Sequence, residues 1–146
     1  MMARNFSNVL ILSVILLLIS CGTPLENYQP KNDTEKDLKE TILRHANARM
    51  QGDVNQILSG LSENCQIELY PGAKLSKNQL KSVNVDDWTY DGDVHFSDPE
   101  FTIAGDKASV SLKLNLGIAG KRLTTIELIR ENNTWLISQI TFRISR

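Results

Sequence analysis

The amino-acid sequence predicts an α+β domain, in which helices come first and a run of antiparallel strands follows. Up to about residue 60, apolar residues recur with the spacing of amphipathic helices. After about residue 83 the period changes to two, which is typical of strands with one buried face. Clusters of Gly, Asp and Asn separate these later segments and indicate turns between neighbouring strands.

The composition is that of an ordinary globular protein. The chain has 146 residues, which suits one domain, and 41% of them are hydrophobic and 23% charged. The formal net charge is −1, and it becomes −2 when the basic Arg4 of the N-terminal leader is left out. This balance argues against a nucleic-acid partner, since such a partner requires a basic surface.

The N-terminal leader carries the most specific signal in the sequence. Arg4 precedes an 11-residue apolar run, Val9 to Ile19, which only Ser13 interrupts. A short basic region followed by such a run is typical of a secretory signal, and the run is too short to span a bilayer stably. An uncleaved membrane anchor is the alternative.

The end of the leader resembles the lipobox of bacterial lipoproteins, with the residues Leu18-Ile19-Ser20-Cys21. The resemblance implies that residues 1–20 are a signal peptide, cut before Cys21, and that Cys21 is acylated and holds the protein on a membrane. It also implies a bacterial cell envelope, and the outer membrane in a Gram-negative species, since Gly22 and not Asp follows Cys21. Ordinary secretion is the alternative.

Residues 21–34 are expected to form the lipidated Cys and a flexible tether, because they contain two prolines and no apolar period. A tether of this length spans roughly 20 Å as a random coil. Residues 35–146 are expected to form the single folded domain.

Two helices are predicted at the start of that domain. Asp33 or Thr34 caps the first, over Glu35 to Met50. Its apolar stripe recurs at every fourth residue, at Leu38, Ile42, Ala46 and Met50. Gly52 ends this helix, and Asp53 caps a shorter one that extends to Leu61.

A first strand is predicted from Cys65 to Tyr70, followed by a helical turn that Ser76 caps and that ends at Leu80. Cys65 alternates with polar neighbours and is therefore interpreted as a core residue. The remaining strands are predicted at Val85–Tyr90 and Val94–Phe96 as a hairpin around Asp91-Gly92-Asp93, then at Phe101–Ala104, Ser109–Ile118, Arg122–Arg130 and Thr134–Ile144.

This order of elements resembles the nuclear transport factor 2-like superfamily, including its polyketide-cyclase-like members, over roughly residues 35 to 142. The features that match are Gly52-Asp53 after the long helix, Tyr70-Pro71-Gly72, Phe101-Thr102-Ile103 before Gly105-Asp106-Lys107-Ala108, and the closing Asn133-Thr134-Trp135-Leu136-Ile137. The resemblance implies a cone, in which a strongly curved sheet wraps the first helix and leaves a cavity at the wide end. Members often form dimers through the open face of the sheet.

The superfamily includes dehydratases, isomerases and non-catalytic binding modules, so its fold alone does not define an activity. His45 and His95 are the catalytic candidates, and for both the interpretation as a boundary or surface residue is favoured. Two His and one unlipidated Cys are too few for a zinc site, and no cofactor motif occurs. Candidates for the cavity or the sheet face are the aromatic residues Tyr70, Trp88, Tyr90, Trp135 and Phe142.

The sequence therefore predicts a lipid-anchored, non-enzymatic module of the bacterial envelope. It would bind a small apolar molecule in the cone or an envelope protein across the sheet. Two alternatives are a dehydratase- or isomerase-type enzyme that uses a cavity His with an Asp, and a structural assembly factor.

Overall fold

The computed structural model describes residues 22–69, 72–90, 94–117 and 120–144. Helix α1 is Asp33–Gln51, α2 is Val54–Ser59 and α3 is Lys77–Leu80. Two short 3-10 helices are Leu25–Asn27 and Val85–Asp87. Within these ranges, no helix combines the length and the apolar character needed to cross a membrane. The strands β1 to β6 are Leu61–Glu68, Lys74–Ser76, His95–Ala104, Lys107–Asn115, Lys121–Glu131 and Thr134–Ile144.

The six strands form one sheet in the order β2-β1-β6-β5-β4-β3. Four neighbouring pairs are antiparallel and one pair, β1 with β6, is parallel, so the sheet is mixed. Register shifts in the β1/β6, β3/β4 and β5/β6 pairs bend the sheet, which curls without closing because β2 and β3 remain edges. The predicted α+β fold class is confirmed.

The two faces of the sheet differ along β4 and β5 as the period of two predicts. In β4, Ala108, Val110, Leu112 and Leu114 are buried and their neighbours are not. The buried side chains join those of α1 in one hydrophobic core. The predicted strands over Arg122–Arg130 and Thr134–Ile144 are confirmed as β5 and β6.

The first helix begins earlier than predicted, because Asn32 and not Asp33 or Thr34 caps it. The Asn32 side chain accepts a hydrogen bond from the backbone N–H of Glu35 at 2.9 Å. At the other end Gly52 has φ +66°, a left-handed conformation that a residue with a side chain rarely adopts.

The buried stripe of α1 differs from the predicted one. Met50 is 42% exposed, so the prediction that it continues the stripe is wrong. A turn of helix has about 3.6 residues, so each step of four residues moves the side chain about 40° further around the helix axis. Steps of four, three and four stay on one face, and they bury Leu38, Ile42, His45 and Arg49.

The predicted hairpin around residue 92 is wrong in its first strand. Val85–Asp87 is a 3-10 helix, and Trp88 at its end is fully buried. β3 is one continuous strand with a bulge between Ser97 and Glu100, in place of the two short strands predicted. The predicted turn residues 91–93 lie outside the described residues.

The region between α2 and α3 also differs in detail. β1 begins at Leu61, directly after α2, and the prediction placed Leu61 in the helix and the strand start at Cys65. β2 was not predicted, whereas the turn of helix after Ser76 is confirmed, with a complete capping box. Cys65 is fully buried, as its alternation predicts, and burial raises the pKa of its thiol.

The described part of the predicted flexible tether is attached to the domain at Thr23, Leu25 and Tyr28. Leu25 is fully buried, and the ring of Tyr28 lies 5.2 Å from that of Phe101. Thr23 and Asp98 exchange two hydrogen bonds, from Thr23 N to the carboxylate at 2.8 Å and from Asp98 N to Thr23 O at 2.9 Å. Leu25, Tyr28 and these hydrogen bonds together attach a segment that has no apolar period.

Candidate functional site

A cavity of about 130 Å³ lies at the end of the sheet where β4 and β6 end and β5 begins. We call it the Arg49 cavity, after the residue of α1 that contributes to its lining. Its apolar walls are Leu69, Leu114, Leu116 and Phe142. Its polar lining residues are Arg49, Asp87, Thr89, Tyr90 and Arg122.

Arg49 lies in the last turn of α1 and is only 2% exposed. Its Nε donates to the carbonyl oxygen of Trp88 at 3.0 Å, and Nη1 donates to the hydroxyl of Tyr90 at 2.6 Å. The guanidinium carbon lies 3.9 Å from the centroid of the Tyr90 ring, a cation–π contact. Arg49 therefore joins the helix to the segment that follows the second 3-10 helix.

The positive charge of Arg49 has no paired negative charge among the described residues, since their ion pairs involve other side chains. Burial raises the pKa of Tyr90 above its ordinary value of 10.0, and the charge of Arg49 opposes this rise without cancelling it. The Tyr90 hydroxyl therefore stays neutral at pH 7. Asp87 is exposed at the rim of the cavity, and the half-buried Arg122 adds a second cation. The cavity thus combines apolar walls with excess positive charge.

His45 lies one turn before Arg49 on the same face of α1 and is 7% exposed, so it is a buried residue and the interpretation as a boundary residue is wrong. Burial, and then the charge of Arg49, lower the pKa of His45 from 6.5 to about 3. Neither ring nitrogen has a hydrogen-bond partner among the described residues. His45 is therefore a neutral imidazole, and the structure gives it no carboxylate partner within the ranges described.

His95 is the first residue of β3 and is exposed, opposite in direction to its buried neighbours Val94 and Phe96. The sequence predicted this alternation. The two histidines do not share a site, because one is in the core and the other on the surface.

The structure brings two of the five candidate aromatic residues to the cavity, Tyr90 and Phe142. Trp88 is fully buried and does not line the cavity, and its carbonyl accepts the Arg49 hydrogen bond. Trp135 is a buried residue elsewhere in the sheet, with the Arg130 guanidinium 5.4 Å from its ring. Tyr70 and Cys21 lie outside the described residues.

The residues of this region that were not among the predicted candidates include Arg49, Arg122 and Glu68. Glu68 is 4% exposed, and its carboxylate accepts a hydrogen bond from the backbone N–H of Phe142 at 2.8 Å, which holds one wall of the cavity. Arg49 was detectable, since a stripe of alternating four- and three-residue steps from Leu38 passes through it. Arg122 lies on the same face of β5 as the buried Thr124, two residues further on, which gives the same kind of signal.

A larger depression of about 360 Å³ lies at the far end of the β3, β4, β5 and β6 strands, and Thr102, Ser109, Glu127 and Ser138 contribute to its lining. These residues lie on the strand face that points away from the core, so this depression belongs to the outer face of the sheet. Among the residues described, no group of three or more His, Cys, Asp or Glu side chains is placed to hold a metal ion.

Neither a scan of the sequence against protein-family models nor a comparison with curated proteins gives a match. Solved structures do match. A proposed aromatic ring hydroxylase from Novosphingobium aromaticivorans has a TM-score of 0.64 at 14% identity, over 81% of this chain and 93% of that one. A nuclear transport factor 2-like protein from Cytophaga hutchinsonii has a TM-score of 0.61 at 15% identity, over 80% and 100%.

A proposed ketosteroid isomerase from Shewanella frigidimarina is similar at a TM-score of 0.60 and 17% identity, over 72% of this chain and 93% of that one. At these identities the likeness establishes the fold and not the activity. The fold is the cone-shaped, nuclear transport factor 2-like one that the resemblance implied.

Proposed function

We propose that this chain, with its nuclear transport factor 2-like fold, is a lipid-anchored protein of the bacterial envelope that binds a small molecule in its cone. The observation that carries the proposal is the Arg49 cavity, which is lined by three leucines and Phe142. An engineered cavity of roughly 150 Å³ in another protein binds benzene, so a cavity of this size suits a small, partly apolar ligand.

Binding without catalysis is better supported than a dehydratase- or isomerase-type reaction. The reaction predicted as the alternative uses a cavity His, which must lie within hydrogen-bond reach of a carboxylate. Here His45 is buried without a described partner and is not in the cavity lining, and His95 is exposed. The lining instead supplies groups that bind and orient a molecule.

Native mass spectrometry of the full chain, released gently from detergent, tests ligand binding. We expect a mass above that of the lipidated chain, from a molecule lost on mild activation. Leu116→Trp places a larger side chain in the lining of the Arg49 cavity and should abolish this extra mass. Leu123→Trp is the matched control, since Leu123 is 38% exposed and does not line the cavity, and it should retain the ligand.

A bare wild-type monomer, or an extra mass that survives Leu116→Trp, would contradict a ligand in the cone. A bare dimer would instead support assembly through the outer face of the sheet. A complex with an envelope protein would support the role of an assembly factor.

The proposed lipid on Cys21 is tested separately. Cys21→Ala should abolish labelling with an alkyne fatty acid and leave the precursor uncut, because the lipid is attached to the thiol before cleavage. Gel mobility and in-gel fluorescence measure both effects, with Cys65→Ala as the control that keeps its label. Continued labelling or normal processing of Cys21→Ala would refute the proposal.

The contacts of residues 22–28 with the domain shorten the distance that a lipid on Cys21 would leave between the domain and the membrane. Asp98 holds Thr23 by two hydrogen bonds and receives a third from Lys113 Nζ at 2.9 Å. A lipid on Cys21 would therefore leave the bulge of β3 close to the bilayer, with almost no spacer. This arrangement replaces the roughly 20 Å of free tether expected from a random coil.

A further inference from the structure

We propose that the Arg49 cavity binds the carboxylate of a small amphipathic acid, with the Arg49 guanidinium as its counter-charge. This inference rests on the proposed function, because it names the chemical class of the molecule that the same cavity would hold.

The donors of Arg49 are only partly used. A guanidinium has five N–H donors in a planar fork, and the described hydrogen bonds of Arg49 use two of them, to Trp88 and Tyr90. Both partners lie on the segment 88–90, and Arg49 itself contributes to the cavity lining. The remaining donors are available to a ligand with two coplanar oxygens.

The charge balance favours an anion. A buried cation is costly unless an opposite charge accompanies it, and burial of Arg49 is almost complete. The neighbouring Tyr90 and His45 are both neutral near pH 7, and the described ion pairs do not include Arg49. The Tyr90 ring offsets part of the charge through its π face, and a bound anion would neutralise it.

The walls and the volume define the rest of the ligand. Leu69, Leu114, Leu116 and Phe142 offer an apolar surface to a hydrocarbon chain or a ring. A volume of about 130 Å³ fits a short chain better than a large polar headgroup. A monocarboxylate has one negative charge and two coplanar oxygens, which match the charge and the paired N–H donors of one buried guanidinium. Arg122 of β5 adds a second positive charge that attracts it.

The test compares hexanoate with hexanamide, which has the same shape and no charge. Isothermal titration calorimetry on the full chain in a nonionic detergent at pH 7.5 measures both affinities. We expect hexanoate to bind about tenfold more tightly, the effect of one charge-assisted pair in a desolvated site. Arg49→Met should weaken hexanoate about tenfold and change hexanamide by less than about threefold.

Arg130→Met is the matched control. Arg130 also lies over an aromatic ring, that of Trp135, but it is outside the cavity, so both affinities should stay at the wild-type values. The comparison of the two probes on the wild type needs no variant, which keeps the test valid if Arg49→Met folds poorly.

Equal wild-type affinities for the two probes would overturn the charge inference and leave a small-molecule cavity in place. A preference for hexanoate that persists in Arg49→Met would overturn the role of Arg49. Binding of neither probe would contradict both this inference and the proposed cavity ligand.

Discussion

Replacing Trp88 with alanine is expected to lower the free energy of unfolding by about 3–5 kcal/mol, the usual cost of removing a large buried aromatic side chain. Trp88 is fully buried in the core, and it ends the 3-10 helix Val85–Asp87. Its carbonyl also receives the Arg49 hydrogen bond, so a collapse at this position would disturb the cavity as well. Urea unfolding followed by circular dichroism measures the change.

Trp88→Phe is the matched variant. Phenylalanine retains most of the apolar surface and removes the indole N–H, which has no hydrogen-bond partner among the described residues. We expect it to lose no more than about half of the stability that the alanine variant loses. A loss below about 1 kcal/mol for alanine would show that Trp88 is not the core residue the structure describes.

The second large effect is acid destabilisation through His45. The pKa of His45 is about 3 in the folded state, well below its ordinary value of 6.5, which the unfolded chain retains. Because the folded pKa is the lower one, the unfolded chain takes up the proton first. Stability is therefore fully present above about pH 6.5 and is lost as the pH falls from there toward 3.

His45→Leu should remove this dependence on pH. At pH 4.5 the wild type should have lost about 3 kcal/mol through His45 alone, and the variant should not lose this contribution. At pH 7.5 the two should differ by less than about 1 kcal/mol, since leucine removes two unpartnered ring nitrogens from the core.

Urea unfolding at both pH values gives the four free energies that this comparison needs. His95→Gln is the control, because His95 is exposed and its replacement should leave the acid destabilisation in place. Equal acid destabilisation in the wild type and in His45→Leu would show that folding does not lower the pKa of His45.

The elements predicted correctly are those with a local cause. β5 and β6 follow from an alternation of apolar and polar residues, with Asn132 and Asn133 at positive φ in the turn between them. The helix that Ser76 caps follows from a capping box of residues three positions apart. Each of these signals lies within a few residues and survives in the folded chain.

The elements predicted wrongly depend on contacts between distant residues. The segment Val85–Tyr90 contains β-branched and aromatic residues typical of a strand, but Trp88 is buried in the core and its carbonyl accepts a hydrogen bond from Arg49, 39 positions away. Residues 22–28 have no apolar period, and yet Leu25 and Tyr28 attach them to the domain. Secondary-structure propensity depends on neighbouring residues, so it does not include the free energy of these long-range contacts.

The candidate site shows the same division. The aromatic residues Tyr90 and Phe142 were predicted from their residue type, and they do line the cavity. The basic Arg49 and Arg122 were not predicted, because charged residues are usually exposed and a sequence does not show which of them a curled sheet will enclose.

By itself, the sequence determined the fold class, most strands, the first helix and the interpretation of Cys65 as a core residue, because alternation and capping act over a few positions. Only the tertiary structure decided that Arg49 is buried beside a neutral His45 and that the segment after residue 21 is packed. Burial of a charge depends on surfaces contributed by α1, β4, β5, β6 and the 88–90 segment together. The positive charge and the apolar walls of the cavity therefore come from the packing of these elements against one another, and no single element shows them.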